Sequence, residues 1–388
     1  FYSFPVFWPY LISELGMTES QLGMITAFYF IPVAILAILI GRALDKYSVK
    51  NFMMVGSIIY AVGLFSLSFI NSYWSLVMIY LTILALGSIM MGNLAVAKLI
   101  SNWFDKNAGR ALGIAAVGIS FSGVVLPLIV DPLLDIVGWR NVYVIFASVV
   151  LFIILPLIFF VVIDDPYTVN QVKDGMKRDL EEESLPKVMT SKNLLSKKVF
   201  WIISLSFAFQ FLSMMGVIAF LPIHASKMGL DEIWNILGFP VKQYVFAYAL
   251  AAFGGVLGKL IFGYLIDIMK AAYPSMLAMS LQATGIFGFT YFSEPSIFLL
   301  SALIFGLGYG AATPLMTACY LRAFGSNNLG KARGISSPIV APLQPIGILI
   351  TSVLIGFQDT YFVAFNIMGC FAIVAVVLAS QIQEPRKI

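Results

Sequence analysis

The sequence predicts an all-α membrane protein: twelve transmembrane helices in two pseudo-symmetric six-helix bundles, the first helix partial. Three observations predict it. Of the 388 residues, 60% are hydrophobic and 11% charged, where soluble domains carry roughly 45–50% and 25%, so the solvent for most of the surface is lipid. Apolar runs of spanning length recur along the whole chain. Two landmarks of the first half also return in the second at nearly one spacing. The stretch from Gly41 to Asp45 matches Gly263 to Asp267, 222 residues on, and Arg110 matches Arg333, 223 residues on.

In chain order, runs bounded by charged or turn residues give spans at 1–13, 21–41, 52–71, 75–98, 111–130, 141–163, 199–223, 244–266, 274–291, 297–320, 335–356 and 361–382. The first holds only about 13 apolar residues before Glu14, against about 20 for a full crossing, so the first half of helix one is expected to be missing. No basic head or small-residue cleavage site marks that run as a signal peptide. The 31 glycines and 33 phenylalanines suit helices in lipid, small residues at the contacts and rings in the gaps. Cys319 and Cys370 lie inside apolar runs and read as packing residues.

The one long polar interruption, 164–198, holds seven acidic and seven basic residues. It divides the chain into an N-terminal bundle (1–163), a linker (164–198) and a C-terminal bundle (199–388). Lys and Arg in the short loops set the orientation. One side carries Arg42, Lys46, Lys50, Lys106, Arg110, Lys270, Arg322, Lys331 and Arg333; the other has only Arg140, Lys227 and Lys242. Nine against three puts the linker and both termini in the cytoplasm, in a multi-pass protein of the plasma (inner) membrane. The net charge of +4 is spread without a basic patch, which excludes a nucleic-acid partner. One histidine and no metal-ligand or nucleophile–base spacing exclude an enzyme and leave no cofactor or metal to expect. A monomer suffices for such an architecture.

Gly41, Asp45, Lys46 and Lys50 follow the loop pattern Gly-x-x-x-Asp-(Arg/Lys)-x-Gly-x-(Arg/Lys), with Ser48 at the second glycine; Gly263, Asp267 and Lys270 are a weaker copy. By these residues the chain resembles the major facilitator superfamily. Within it, four stretches resemble the monocarboxylate and oxalate:formate transporter branch: Tyr2 to Phe7, Asn102 to Gly113, Gly138-Trp139-Arg140, and Lys259. The resemblance implies transport by alternating access, with the substrate between the bundles. It makes Gly41, Asp45, Lys46, Arg110, Gly263, Asp267 and Arg333 gate residues. An aspartate at a helix C-terminus sits badly with the helix dipole and needs a cationic partner, for which Arg110 and the start of span eleven are candidates. Gly41 is expected to let helices two and eleven approach.

Charge inside the spans carries the substrate argument. All nineteen carboxylates are read as lying in loops, tails or helix ends, and only Lys98 and Lys259 among the 23 basic residues lie inside. Lys98, near the cytoplasmic end of span four, either snorkels to the headgroups or lines the inner gate. Lys259 stands eight residues before Asp267, about 12 Å deeper at 1.5 Å per residue. A charge at such depth costs roughly 2.5–3.5 kcal/mol and faces a cavity or a partner. Gly255 and Gly263 flank it at i−4 and i+4 and leave room beside the ammonium; a bound anion and bonding to backbone carbonyls both fit. In the resembling branch an arginine at this position binds the substrate carboxylate. Lysine keeps that charge without the bidentate fork.

One deep lysine matches one negative charge, and Val340 stands where dicarboxylate carriers of the branch have a second cation, so the expected substrate is a small monocarboxylate such as lactate or pyruvate. Tyr2, Phe30, Phe121, Gln210, Tyr309 and Gln344 are the candidate wall and polar groups of the cavity; ordinary packing explains each of them singly as well. Gly255 replaces an aspartate of proton-coupled animal relatives, so anion exchange, uniport and proton symport through Lys259 or the substrate remain open. His224 reads as a surface residue at the outside loop. A carrier of another small anion or zwitterion, an exporter of amphipathic compounds and a non-transporting anion sensor are the alternatives. The absence of carboxylates within the spans speaks against the exporter, and the repeated gate loops speak against the sensor.

Overall fold

A computed structural model describes residues 3–44, 46–104, 108–169, 189–236, 238–358 and 361–383. All twelve expected spans are helical: α1 Phe4–Leu15, α2 Glu19–Leu44, α3 Val49–Leu67, α4 Tyr73–Trp103, α5 Ala108–Val137, α6 Trp139–Val161, α7 Lys198–Ile218, α8 Gln243–Ile268, α9 Ala272–Tyr291, α10 Pro295–Phe324, α11 Asn328–Phe357 and α12 Tyr361–Ala379. Ten helices among the described residues are long and apolar enough to cross a membrane. Several begin where the local chemistry says they should. Thr18 forms a capping box with Gln21, Ser48 and Ser72 accept backbone N–H groups three residues on, and the Glu294 carboxylate does the same for Ile297 at 2.9 Å.

Three features depart from expectation. Helix α5 does not stop near residue 130: it runs through Pro127 and Pro132 to Val137, carrying Asp131 and Asp135 with it. The carboxylate census is corrected accordingly, since Asp131 is 1% exposed within a spanning helix. A charge is tolerated there because Lys242 faces it. Between α7 and α8 the chain forms a short helix, Leu221–Lys227, and a two-stranded antiparallel hairpin, Ile233–Ile236 with Phe239–Lys242, turning through Gly238 at φ 88°. His224, on that short helix, is buried rather than at the surface: rings of Phe298, Tyr361 and Phe365 surround it, and its Nε2–H donates to the Phe289 carbonyl at 2.9 Å.

Helices α8 and α10 pack backbone to backbone. Gly254 and Gly258 of α8 face Leu303 and Leu307 of α10, while Gly306 and Gly310 face Ala251 and Gly255 in return. A Cβ on Gly254 would lie 2.5 Å from the Leu303 carbonyl oxygen, so a small residue is required at this crossing.

The buried side chains fall into three clusters with an informative distribution. The largest draws on both halves of the chain, from Phe4 and Trp8 to Phe220, Tyr248, Ile348 and Tyr361. A second comes only from residues 194–382, and a third only from residues 40–162. The shared cluster lies toward the end of the assembly away from the linker, and the two separate ones lie toward the linker end. Among the described residues, the two halves therefore share a buried core toward the far end, and toward the linker end each half has its own.

Candidate functional site

Helix α8 crosses from the closed end to the open end, and its exposure pattern records the change. Val245 and Ala252 are buried on one helical face, and Ala249 is buried beside them. Seven residues further along the same faces, Val256 and Lys259 are only half-buried, and Gly263 has nothing within 4 Å of where a Cβ would stand. Residues seven apart lie almost above one another on a helix. Lys259 is thus on the face that packs against neighbours near the far end and opens toward the linker end.

One turn away, a Cβ on Gly255 would meet the Tyr309 hydroxyl at 2.9 Å. The space expected beside Lys259 at that position is filled by Tyr309, while the space at Gly263 is free. Tyr309 is buried and stacks obliquely on Phe305, ring centroids 5.2 Å apart. Phe262 packs inward and contributes no wall.

The other candidates separate. Phe30 is half-buried near Tyr29, whose hydroxyl donates to Ser88 at 2.5 Å. Phe121, on the linker-end half of α5, is 61% exposed. Gln210 is buried: its Nε2 donates to the Gly308 carbonyl at 3.2 Å, and its backbone carbonyl accepts from Gln282 Nε2 at 3.0 Å, tying α7, α9 and α10 together. Gln344 is half-buried where α11 is interrupted at residues 341–342. Tyr2 lies outside the described residues, as do Asp45 and the side chain of Arg110.

Among the gate residues, Gly41 does not meet α11 in this conformation: of the described residues only Leu94 of α4 comes within 4 Å of its open side, at 3.9 Å. The glycine of α2 that admits α11 is Gly23, at the opposite end, where a Cβ would lie 2.6 Å from Ser352 Oγ. The linker end is open, so α2 and α11 touch only beyond it. Lys46 and Asp267 are exposed, and Arg333 is half-buried with its guanidinium bonded to the Thr317 hydroxyl. The residue that sequence reasoning missed is Arg322. From the end of α10 it donates to the carbonyls of Ile266 and Met269 at the end of α8, the second at 2.7 Å. It supplies the cation that the last turn of α8 calls for. Its signal was a lone arginine closing an apolar run.

The family model for the Major Facilitator Superfamily matches residues 1–341. The chain belongs to the major facilitator superfamily. Its relatives in the family include a probable sulfoacetate transporter, SauU, of Cupriavidus necator, 25% identical over 76% of this chain and 68% of that protein. The fujikurins efflux protein of Gibberella fujikuroi is 25% identical over 80% of this chain and 63% of its own length. The glycerol-3-phosphate transporter of Bacillus subtilis is 22% identical over 67% and 59%. The chain thus spans about two thirds of the length of these relatives. In structure it superposes with a TM-score of 0.73 on a bacterial homologue of the human lysosomal transporter Spinster, in an inward-facing and unoccupied conformation. That likeness covers 98% of this chain and 92% of the other at 14% identity, and it concerns the fold. None of these singles out the monocarboxylate branch.

Proposed function

We propose that this superfamily member is a secondary transporter of a small organic anion, with Lys259 as the cation that meets the substrate's carboxylate, here in the conformation open toward the linker side. The observation that carries the proposal is the place of Lys259: deep within α8, half-buried, on the face that turns from packed to open. The relatives named for sulfoacetate and glycerol 3-phosphate, both organic anions, support the anionic class. The two six-helix halves act as the moving bodies, with 164–198 joining them in the cytoplasm. Tyr309, Phe30 and Phe121 are proposed to border the path, and Tyr2 is proposed as a further substrate-binding residue.

Among anions a monocarboxylate is preferred, because the α11 position of a second cation holds buried Val340. A second reading, an anion with two acidic groups, is favoured by the sulfoacetate relative, and an exporter of amphipathic compounds by the fujikurins efflux relative. Uptake into proteoliposomes preloaded with a panel of mono- and dianions distinguishes them. Counterflow of monoanions that Lys259→Ala abolishes and Lys259→Arg retains is the expected result. Undiminished uptake by a folded Lys259→Ala protein overturns the assignment.

A further inference from the structure

Two ionic clusters join the first six helices to the last six, both at the far end. In one, Lys227 pairs with Glu19 at 2.8 Å, and the Tyr361 hydroxyl donates to the same carboxylate. The other sets two carboxylates against one ammonium. Lys242 Nζ lies 2.8 and 2.9 Å from the oxygens of Asp135 and 3.4 Å from Asp131 Oδ1. The Lys242 backbone N–H donates to Asp131 Oδ2 at 3.0 Å, so a carboxylate of α5 caps the start of α8, the helix that carries Lys259. Tyr10 of α1 donates its hydroxyl to Asp135 at 2.6 Å and accepts from Lys242 at 3.1 Å. Tyr244 is the remaining titratable group in electrostatic contact with the cluster.

We propose that Asp131 and Asp135 form a proton-binding site, empty while Lys242 closes onto them and filled when the far end opens. The inference rests on the alternating-access reading above. Opening parts Lys242, at the start of α8, from Asp131, Asp135 and Tyr10, which stay with the first six helices. The two aspartates lie four residues apart on one face of α5. Asp135 falls in its last turn, where the helix dipole repels anions. Without Lys242 they are like charges sharing one site, and one proton on a carboxylate oxygen replaces the lost counter-ion. That proton comes from far-side water and returns to it when Lys242 closes, so it sets how readily the gate opens and is not itself carried across. Lys242 keeps its charge throughout the ordinary pH range. Burial alone would lower its pKa, but its hydrogen bonds to Asp135 and Tyr10 and the field of Tyr244 and Asp131 raise it well above the usual lysine range.

The test is a distance across the far end, measured without substrate. Spin labels on Asn71→Cys and Ser293→Cys, both at exposed positions of far-end loops, are placed in the full chain with exposed Cys370 and buried Cys319 replaced. In nanodiscs, the ratio of long to short distances is expected to rise as pH falls from 8 to 5, by up to about tenfold per pH unit for one proton. The Asp131→Asn/Asp135→Asn protein is expected to lose that slope. Lys242→Gln, which keeps both carboxylates, is expected to favour the long distance at every pH and serves if the double variant does not fold. A wild-type ratio that ignores pH overturns the proposal, as does a double variant that keeps the slope. When the same distances are then measured at fixed pH with monocarboxylates added, a response to anions without one to pH would remove the proton site and leave Lys259 standing; the converse would remove Lys259 alone.

Discussion

The two ends of this helix assembly close by different means. At the far end the halves meet through aromatic rings, such as Trp8 on Phe220 at 5.1 Å, through Ser352 Oγ donating to the Ser20 carbonyl at 2.5 Å, and through the two ionic clusters. At the linker end each half has its own buried cluster, and the polar contacts described there stay within a half. Trp103 Nε1 donates to the Ile163 carbonyl at 2.7 Å, and Arg322 holds the end of α8. An end that must open needs each half finished by itself; an end that is shut uses contacts that both halves share. On the alternating-access reading proposed above, the polar pairs between halves would be the ones that break and those within a half the ones that persist.

The sharpest break in this comparison comes from the two lysines of α8. Lys259→Ala is expected to reduce anion uptake by about 30-fold or more, the 2–5 kcal/mol range for truncating one partner of a desolvated charge pair, with the folded protein and its far-end distances unchanged. Lys242→Ala is expected to act oppositely: it strands buried Asp131, which costs about 3–5 kcal/mol in comparable pairs, and loosens the far end. Thermal unfolding in detergent and the labelled distance read the two effects separately. If Lys259→Ala loosened the far end as much as Lys242→Ala, the division of labour along α8 would be wrong.

A second test uses pH and a group outside the spans. Burial, chiefly, pushes the pKa of His224 down to about 4, the bond to Phe289 opposing this and Lys227 adding to it. The folded state then binds fewer protons than the unfolded state, whose histidine titrates near 6.5. Stability from this site is full above about pH 6.5 and is lost as pH falls toward 4, amounting to about 3 kcal/mol. His224→Gln, which keeps a donor for the Phe289 carbonyl, is expected to flatten the pH dependence of the midpoint between 6.5 and 4. An unchanged slope would return the acid sensitivity to the carboxylates of the far end.

The fold was legible because lipid imposes length and apolarity on every span, and all twelve runs became helices. The position of Lys259 within α8 was legible for a related reason, since a charge eight residues before Asp267 stands out against an apolar background; its role remains the proposal made above. The far-end gate was not. Asp131 precedes a proline and looks like a loop residue, and the partner that allows its burial is 111 residues away. Pairing between halves has no periodicity to show in the sequence. Gly41 and Gly23 make the same point, since either could admit α11 and only the conformation selects between them.

The smallest effect separates a pair between halves from one within a half. Arg140 bonds Glu14 at 2.6 Å with side chains 38% and 48% exposed, and both belong to the first six helices. Lys227 bonds Glu19 across the halves with exposures of 40% and 12%. The exposed Arg140–Glu14 pair contributes about 0.2–1 kcal/mol, and Lys227 meets a more buried Glu19, so Arg140→Ala should lower thermal stability slightly and Lys227→Ala somewhat more. Only Lys227→Ala should shift the far-end distances. Its loss is felt in one conformation and not in the other, and an interaction biases an equilibrium only through such a difference. Equal shifts from both variants would mean that the far end responds to general loosening, and the ionic clusters would then be ornaments of the closed state and not its latch.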